Sequence, residues 1–316
     1  MLKIYKTDNK TNKIKEIDKI AKGCWINIID PDDKELDFLV NNIGINSDFI
    51  KYSLDIEERA RIDIEDEQTL IIVDIPMEEN RKKDIKSDFS TIPLGIIIVE
   101  DKYLLTVCSR NVEILKDFCD SKVKGIDTHI KNNFVLQILY KIASNYLLCL
   151  KKINKETDKT ECKLQDDLRN EELMKLLSLE KSLVYFTTSL RSNENVMEKL
   201  FKGIYLKLST DDRDYLDDII IENKQAIEMV TITRDILSGT TTTYASIISN
   251  NLNFVMKFLA AVTIVFSIPT MVSGLWGMNV DGILFSNNPF GFLMVVMIAL
   301  ILSVFAFIWL RKKNML

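Results

Sequence analysis

Polar and small side chains recur every three or four residues through an otherwise apolar stretch near the end of the chain. Side chains at this spacing share one face of a helix. Hydroxyl and amide oxygens are ligands or hydrogen-bond acceptors suited to hard cations and their bound waters. The face comprises Asn253, Met256, Leu259 (or Ala260), Thr263, Ser267, Thr270 and Gly274. Copied around a symmetry axis, it would line a pore; in a single hairpin it would only pack two helices together.

An acidic run after Thr210 is the second distinctive group. Its members are Asp211, Asp212, Asp214, Asp217, Asp218 and Glu222. The first three suit the first turn of a helix capped by Thr210, because the helix dipole stabilises acids there. The last three come too late to benefit, and like charges at this spacing repel each other. The start of a helix therefore explains only half of the run.

The rest of the sequence offers little for catalysis. It has no P-loop, no pairing of a nucleophile with histidine and no metal-ligand spacing among its five cysteines. The single histidine, His129, lies in a polar stretch, where we expect it to be solvated. The 41 basic and 46 acidic residues give a net charge of −5, which argues against nucleic acid as a partner. We therefore predict neither an enzyme nor a nucleic-acid-binding protein.

The apolar residues are concentrated in two C-terminal segments. Residues 252–274 contain one charge, Lys257, and residues 290–310 contain none. Each segment can cross the roughly 30 Å hydrocarbon core of a bilayer. A basic tail follows, consisting of Arg311, Lys312 and Lys313, and basic residues mark the cytoplasmic side. We predict two spans in the inner or plasma membrane, both termini in the cytoplasm, and no N-terminal signal peptide.

Before the spans, the chain reads first as α/β and then as helical. Alternating runs predict strands at 24–29, 61–65, 70–75, 94–99 and 103–108. Asp30-Pro31 predicts a turn before a helix at 32–42. Asp66–Gln68 predicts a hairpin turn, and Pro76 predicts the end of the third strand. Beyond Asn111 the apolar spacing is helical. The polar stretch 151–167 fits either a solvated helical arm or a loop.

A heptad pattern runs from Leu216 to Ile248. No proline interrupts residues 211–268, so we predict one helix that forms a stalk and continues into the first span. At 1.5 Å per residue its length exceeds about 80 Å. Gly239 and the threonines that follow it are its weakest place. We expect the heptad face to hold a cyclic oligomer together.

The first span ends in Ser273-Gly274-Leu275-Trp276-Gly277-Met278-Asn279, and here the sequence resembles the CorA family of divalent-cation channels. The signature is Gly277-Met278-Asn279. It closes the first of two C-terminal spans and follows the Pro269-Thr270 pair. Residues 244–257 are similar to the pre-membrane segment of the family. The strands before residue 110 look like a CorA cytoplasmic domain, so the resemblance covers nearly the whole chain.

The resemblance implies a funnel-shaped homopentamer whose first spans line one pore and whose second spans form an outer ring. It favours pore lining for the polar face. Gly277, Met278 and Asn279 would form the selectivity filter, because Mg²⁺ keeps several of its waters and suits a wide ring of neutral Asn279 acceptors. Gly277 would permit a tight turn and Met278 would pack. Asp281, the single acid of the outer loop, would attract cations.

The resemblance also implies regulation by the transported ion. In the family, cytoplasmic Mg²⁺ binds acidic sites between neighbouring subunits and holds the channel closed. Asp217 and Asp218 are the candidates on the stalk. The acid that faces them is left open among Glu57, Glu58, Asp63 and Asp66. Mg²⁺ would then be both substrate and regulatory ligand, with Co²⁺ and Ni²⁺ as related permeant ions.

Two alternatives remain. A branch of the family moves Zn²⁺, which soft ligands would favour, but Met256 is the only such ligand on the polar face. A membrane-tethered sensor or scaffold, the other alternative, does not need a polar face at all.

The predicted segments are a cytoplasmic α/β domain at 1–132, a helical arm at 133–210, a stalk at 211–251, transmembrane helices at 252–275 and 290–310 around an outer loop at 276–289, and a basic cytoplasmic tail at 311–316.

Overall fold

The structure is a computed structural model that describes residues 1–8, 13–79, 88–99, 102–123, 125–166, 170–278 and 289–313. It divides into two compact units, residues 1–241 and 242–316. The strands are β1 (Leu2–Asp8), β2 (Lys13–Glu16), β3 (Trp25–Ile29), β4 (Arg61–Glu65), β5 (Gln68–Glu78), β6 (Phe89–Val99) and β7 (Leu104–Cys108). The helices are α1 (Asp33–Asp37), a π-helix (Phe38–Ile43), α2 (Ser47–Leu54), α3 (Glu113–Cys119), α4 (Lys131–Asp166), α5 (Asn170–Phe201), α6 (Thr210–Trp276) and α7 (Gly291–Lys312).

The seven strands form one mixed sheet in the first unit. Their order is β2-β1-β3-β7-β6-β5-β4, and every neighbouring pair is antiparallel except β3 and β7. Helix α2 packs on one face, where Ile26, Phe49 and Leu70 belong to the core. The other face is aromatic, with the ring of Trp25 lying 5.2 Å from that of Phe134. The predicted combination of an α/β domain with long helices is confirmed.

Two details of the sheet differ from the sequence prediction. The β4–β5 turn consists of Asp66 and Glu67, with φ of 46° and 62°, so that Gln68 is already the first residue of β5. Both values match the positive φ that a two-residue turn of this kind requires. Pro76 does not end β5, which continues to Glu78. The first residue of β4, Arg61, pairs with Ile72, so β5 has no neighbour on that side after Ile72 and is an edge strand there. Proline is tolerated in edge strands.

The predicted helix at 32–42 is divided into two kinds of helix. Asp32, which the sequence pattern placed inside the helix, is instead the cap of α1 and forms a reciprocal capping box with Glu35. The π-helix then continues to Ile43, and Gly44 ends it with a φ of 80°. Glycine adopts this left-handed conformation without steric cost.

The polar stretch after Lys151 is helical as far as Asp166, so the structure favours the arm over the loop for these residues. Ion pairs stabilise it. The Glu156 carboxylate lies 2.6 Å from Lys159 on α4 and 2.7 Å from Lys175 on α5. These two ammonium groups lower the pKa of Glu156 to about 2. Charge pairing along and between the two helices adds to the packing of Ile153 and Leu164, which are fully buried in this stretch.

Helix α6 continues through Gly239, as predicted, but its first heptads are used differently. The buried positions Leu216, Asn223, Val230 and Leu237 are covered by other parts of the same chain. The Asn223 amide donates to the Leu190 carbonyl of α5 at 3.1 Å. A heptad pattern indicates helix packing but does not say whether the partner belongs to the same chain. The expectation that this stretch holds the oligomer together is therefore wrong for these positions.

Candidate functional site

In the second unit, the end of α6 packs against α7 along one face of each helix. Ala261 of α6 is fully buried, and Val265, Ile268 and Val272 follow it at helical spacing and are half-buried. On α7 the buried positions include Gly291, Val295 and Ala299. At the far end the ring centroids of Trp276 and Phe292 lie 6.4 Å apart. Small residues at such a contact let helices approach closely within a bilayer.

The polar face of α6 lies on the side opposite to this contact. Thr263, Ser267, Thr270 and Gly274 each follow a contact-face residue by two positions, which is about 200° around a helix. Every predicted member of the face is exposed in the single chain, namely Asn253, Met256, Leu259, Thr263, Ser267, Thr270 and Gly274. Helix α7 therefore leaves this face uncovered.

The hydroxyl groups on this face are already hydrogen-bonded to their own helix. Thr263 donates to the Leu259 carbonyl at 2.8 Å, Ser267 to Ile264 at 2.9 Å and Thr270 to Phe266 at 3.1 Å. A hydroxyl has one hydrogen and two acceptor lone pairs. Each of these oxygens thus keeps its acceptor capacity and can receive a hydrogen bond from a water of a hydrated cation.

The end of α6 is described only as far as Met278. The Gly277 N–H donates to the Ser273 carbonyl at 2.9 Å, and Met278 is exposed. The φ of Gly277 is not positive, so the tight turn that we assigned to it does not depend on a left-handed conformation. Asn279 and Asp281 lie outside the described residues. The filter assignment of Gly277, Met278 and Asn279 therefore stays a prediction.

The acidic run begins as a capped helix, but the cap is Ser209. The Ser209 hydroxyl accepts from the Asp212 N–H at 3.2 Å, and the Asp212 carboxylate accepts from the Ser209 N–H at 3.0 Å. This reciprocal box corrects the assignment of Thr210, which is the first residue of α6. Asp217 and Asp218 are exposed further along the helix. Within the described part of this single chain, no cluster of three or more acidic, histidine or cysteine side chains could hold a metal.

Arg61 distinguishes the four acids that the sequence left equivalent. It pairs with Glu58 and, through Nε, with Asp63 at 2.6 Å, while its guanidinium lies 4.6 Å from the centre of the Tyr52 ring. Glu57 and Asp66 are exposed. Sequence reasoning missed this role of Arg61. Its position two residues before Asp63 in a strand could have indicated it, because such residues share a face.

Known proteins that are similar to this chain share its architecture. The sequence profile of the family described as CorA-like Mg²⁺ transporter protein matches residues 21–312. The cobalt/magnesium transport protein CorA of Methanocaldococcus jannaschii is 32% identical over 294 residues, which cover 91% of this chain and 90% of that protein. The solved structure of the complete CorA magnesium transporter from the same organism superposes with a TM-score of 0.79 at 27% identity, over 99% of this chain and 96% of that one.

A more distant structure shares only the fold. The cytoplasmic domain of ZntB from Vibrio parahaemolyticus superposes with a TM-score of 0.58 at 13% identity, over 79% of this chain and 97% of that one. Two helices of the present chain, Thr210–Trp276 and Gly291–Lys312, contain stretches long and apolar enough to span a membrane. The predicted resemblance is confirmed: this chain is a membrane protein that belongs to the family of CorA-like Mg²⁺ transporter proteins.

Proposed function

We propose that the chain forms a homopentameric channel through which hydrated divalent cations enter the cytoplasm passively, driven by the membrane potential. The observation that carries this proposal is the polar face of α6, which lies opposite α7 and is uncovered in one chain. In a bilayer, a single chain would leave these hydroxyl groups against lipid. Other copies of α6 would cover the face and enclose a polar pathway.

Along this pathway we assign different tasks to different levels. Asn253, Thr263, Ser267 and Thr270 supply oxygen acceptors for the water shell of the ion. Met256 and Leu259 form an apolar constriction that can close by dewetting. Gly277, Met278 and Asn279 form the outer filter, in which a ring of Asn279 oxygens accepts hydrogen bonds from hydrated Mg²⁺. Mg²⁺ dehydrates reluctantly, so a wide neutral ring suits it better than a tight carboxylate cage.

Mg²⁺ is the proposed main substrate, and Co²⁺ a second one. The family description supports Mg²⁺, and the name of the M. jannaschii relative includes both cobalt and magnesium. Zn²⁺ is the alternative, but it prefers nitrogen and sulfur ligands, and the thioether of Met256 is the single such group on the polar face. A tethered sensor would not require this face.

We also propose that cytoplasmic Mg²⁺ closes the channel by binding Asp217 and Asp218 together with an acid of a neighbouring copy. Glu57 and Asp66 are the better facing acids, because Arg61 already neutralises Glu58 and Asp63. A cation that binds Glu58 or Asp63 would have to displace the guanidinium. Both termini are placed in the cytoplasm, since Arg311, Lys312 and Lys313 follow the second span.

Uptake into liposomes that hold the purified full chain tests the function. With a potential negative inside, we expect Mg²⁺ and Co²⁺ to enter and Zn²⁺ to enter more slowly. Thr263→Val keeps the side-chain shape but removes an acceptor from the polar face, so it should slow Mg²⁺ entry. Ser303→Ala is the matched control, because its hydroxyl also donates to a helix carbonyl, that of Ala299 at 2.9 Å, but lies on α7. An assembled protein that admits no Mg²⁺, or admits Zn²⁺ faster, would contradict the proposal.

A further inference from the structure

Four basic residues lie at one end of the hairpin formed by α6 and α7. Lys257 comes 19 residues before Trp276, and Arg311 comes 19 residues after Phe292. The rings of Trp276 and Phe292 are in contact at the other end. At 1.5 Å per residue both basic residues are therefore about 28 Å from that contact, so they are at the same level. Lys312 and Lys313 follow directly, and the four residues together are called the basic belt.

The belt lies at the depth of a membrane surface. The distance of about 28 Å nearly equals the hydrocarbon thickness of a bilayer. Lys257 precedes the buried Ala261 by four residues and follows Asn253 of the polar face by four, so it lies between the contact face and the polar face of α6. All four members of the belt are exposed. The belt thus lies at one end of the hairpin, at one bilayer surface.

The charges of the belt are not compensated within their own unit. Residues 242–278 and 289–313, the described part of the second unit, contain no aspartate or glutamate. Among the described residues, Lys257, Arg311, Lys312 and Lys313 form no ion pair. Four positive charges at the same end of a hairpin repel each other unless an anion approaches them.

Next to the belt, α7 presents apolar and aromatic side chains outward. Phe305, Ile308 and Trp309 are each more than half exposed. Tryptophan is enriched where acyl chains meet headgroups, because its ring is apolar and its N–H is polar. An apolar surface for acyl chains therefore adjoins a cationic surface at headgroup depth.

We propose that the basic belt is a binding site for anionic phospholipid, with the headgroup phosphate held by Lys257 and the 311–313 tail and the acyl chains along Phe305, Ile308 and Trp309. Charge complementarity selects this partner, since an anionic leaflet supplies the missing counter-charge at the level where the belt lies. The inference rests on the membrane placement of the chain and is independent of ion conduction. Carboxylates of the protein itself are the competing counter-charge.

The test compares lipid retention by the full chain in mixed micelles containing phosphatidylglycerol and phosphatidylcholine. Native mass spectrometry counts the lipids retained, and thermal unfolding measures the stabilisation by each lipid. We expect a preference for phosphatidylglycerol of roughly five-fold per basic residue. The variant Lys257→Gln/Arg311→Gln/Lys312→Gln/Lys313→Gln should lose it. The matched control replaces the same number of exposed lysines in the first unit by glutamine, at Lys151, Lys155, Lys181 and Lys199.

Each outcome either supports the proposed lipid site or overturns it. Loss of the preference in the belt variant but not in the control supports the site. An unchanged preference in the belt variant, or none in the unmodified protein, overturns it. If the variant is destabilised by the same amount in both lipids, the belt is paired with carboxylates of the protein instead of lipid phosphates. That outcome also overturns the proposal. If the variant does not insert into micelles, the unmodified protein still tests the proposal. Its preference for phosphatidylglycerol must fall as the KCl concentration is raised.

Discussion

The side-chain amide of Asn193 forms two hydrogen bonds with the backbone of Asp74. Its Oδ1 accepts from the Asp74 N–H, and its Nδ2 donates to the Asp74 carbonyl, each at 2.8 Å. Asp74 lies in β5 beyond the end of β4, where the sheet has no further strand. Helix α5 thus supplies the donor and acceptor that a neighbouring strand would offer, and the Tyr146 hydroxyl donates to the same carbonyl at 3.1 Å. This arrangement holds the Asp74 side chain inside the domain.

Burial makes Asp74 a source of pH-dependent stability. Desolvation raises its pKa from 3.8 to about 6, although a hydrogen bond from Ser189 acts in the opposite direction. The folded protein therefore keeps a proton that the unfolded chain releases. The free energy of unfolding should fall as pH rises from about 4 to about 6 and then stay lower, by up to roughly 3 kcal/mol.

Asp74→Asn should remove this loss and raise the unfolding temperature at pH 7 more than at pH 4.5. Thermal unfolding of the detergent-solubilised chain, followed by circular dichroism across this range, measures the effect. Asp158→Asn, at an exposed position of α4, is the control. A variant destabilised equally at every pH would show that the carboxylate acts through its hydrogen bond instead.

Gly95 in β6 should not tolerate a side chain. A Cβ there would lie 1.8 Å from Ser53 Oγ on α2, and that hydroxyl is held by its bond to the Phe49 carbonyl at 2.7 Å. We expect Gly95→Ala to cost about 1–3 kcal/mol of stability through overpacking. Gly239→Ala is the matched control in an open part of α6 and should gain about 0.5–1 kcal/mol. Denaturant unfolding of both variants checks this, and equal effects would contradict it.

Asp217→Asn/Asp218→Asn should make the proposed channel less sensitive to internal Mg²⁺. Both residues lie beyond the first turn of α6, where the dipole effect fades from its usual ~0.3–1 kcal/mol, so stability should hardly change. The earlier acids offer a matched control, Asp211→Asn/Asp214→Asn, with the same charge change. Patch recordings at graded internal Mg²⁺ measure the inhibition. Unchanged inhibition in the first variant would move the regulatory site elsewhere.

Asn279→Ala should abolish Mg²⁺ uptake without impairing assembly. Each hydrogen bond to a charged group is worth roughly 1.5–3 kcal/mol, and symmetry removes one per subunit at once. Asn279→Asp should hold the ion more tightly and slow its release. Ion flux into liposomes and the mass of the solubilised assembly are both measured. Normal flux through correctly assembled Asn279→Ala protein would favour the tethered-sensor alternative.

The membrane hairpin was the part most accessible from sequence. A bilayer demands a long run without charge, and composition alone reveals such a run. The spacing of apolar residues on a helix does not identify the surface that covers them, so the burial of Leu216 and Leu237 within the chain could not be predicted. Likewise, the pairing of Arg61 with Glu58 depends on how a loop returns to β4.

The hydrogen bonds of Thr263, Ser267 and Thr270 have a consequence for ions of the opposite sign. Each hydroxyl hydrogen is engaged by a carbonyl of α6, so the oxygens turn only lone pairs outward. Chloride or sulfate needs donors to replace the waters that it sheds, and these side chains have none left to give. At the level of these three residues in the proposed pore, the orientation of the hydroxyl dipoles would reject anions, and no fixed negative charge would be required there.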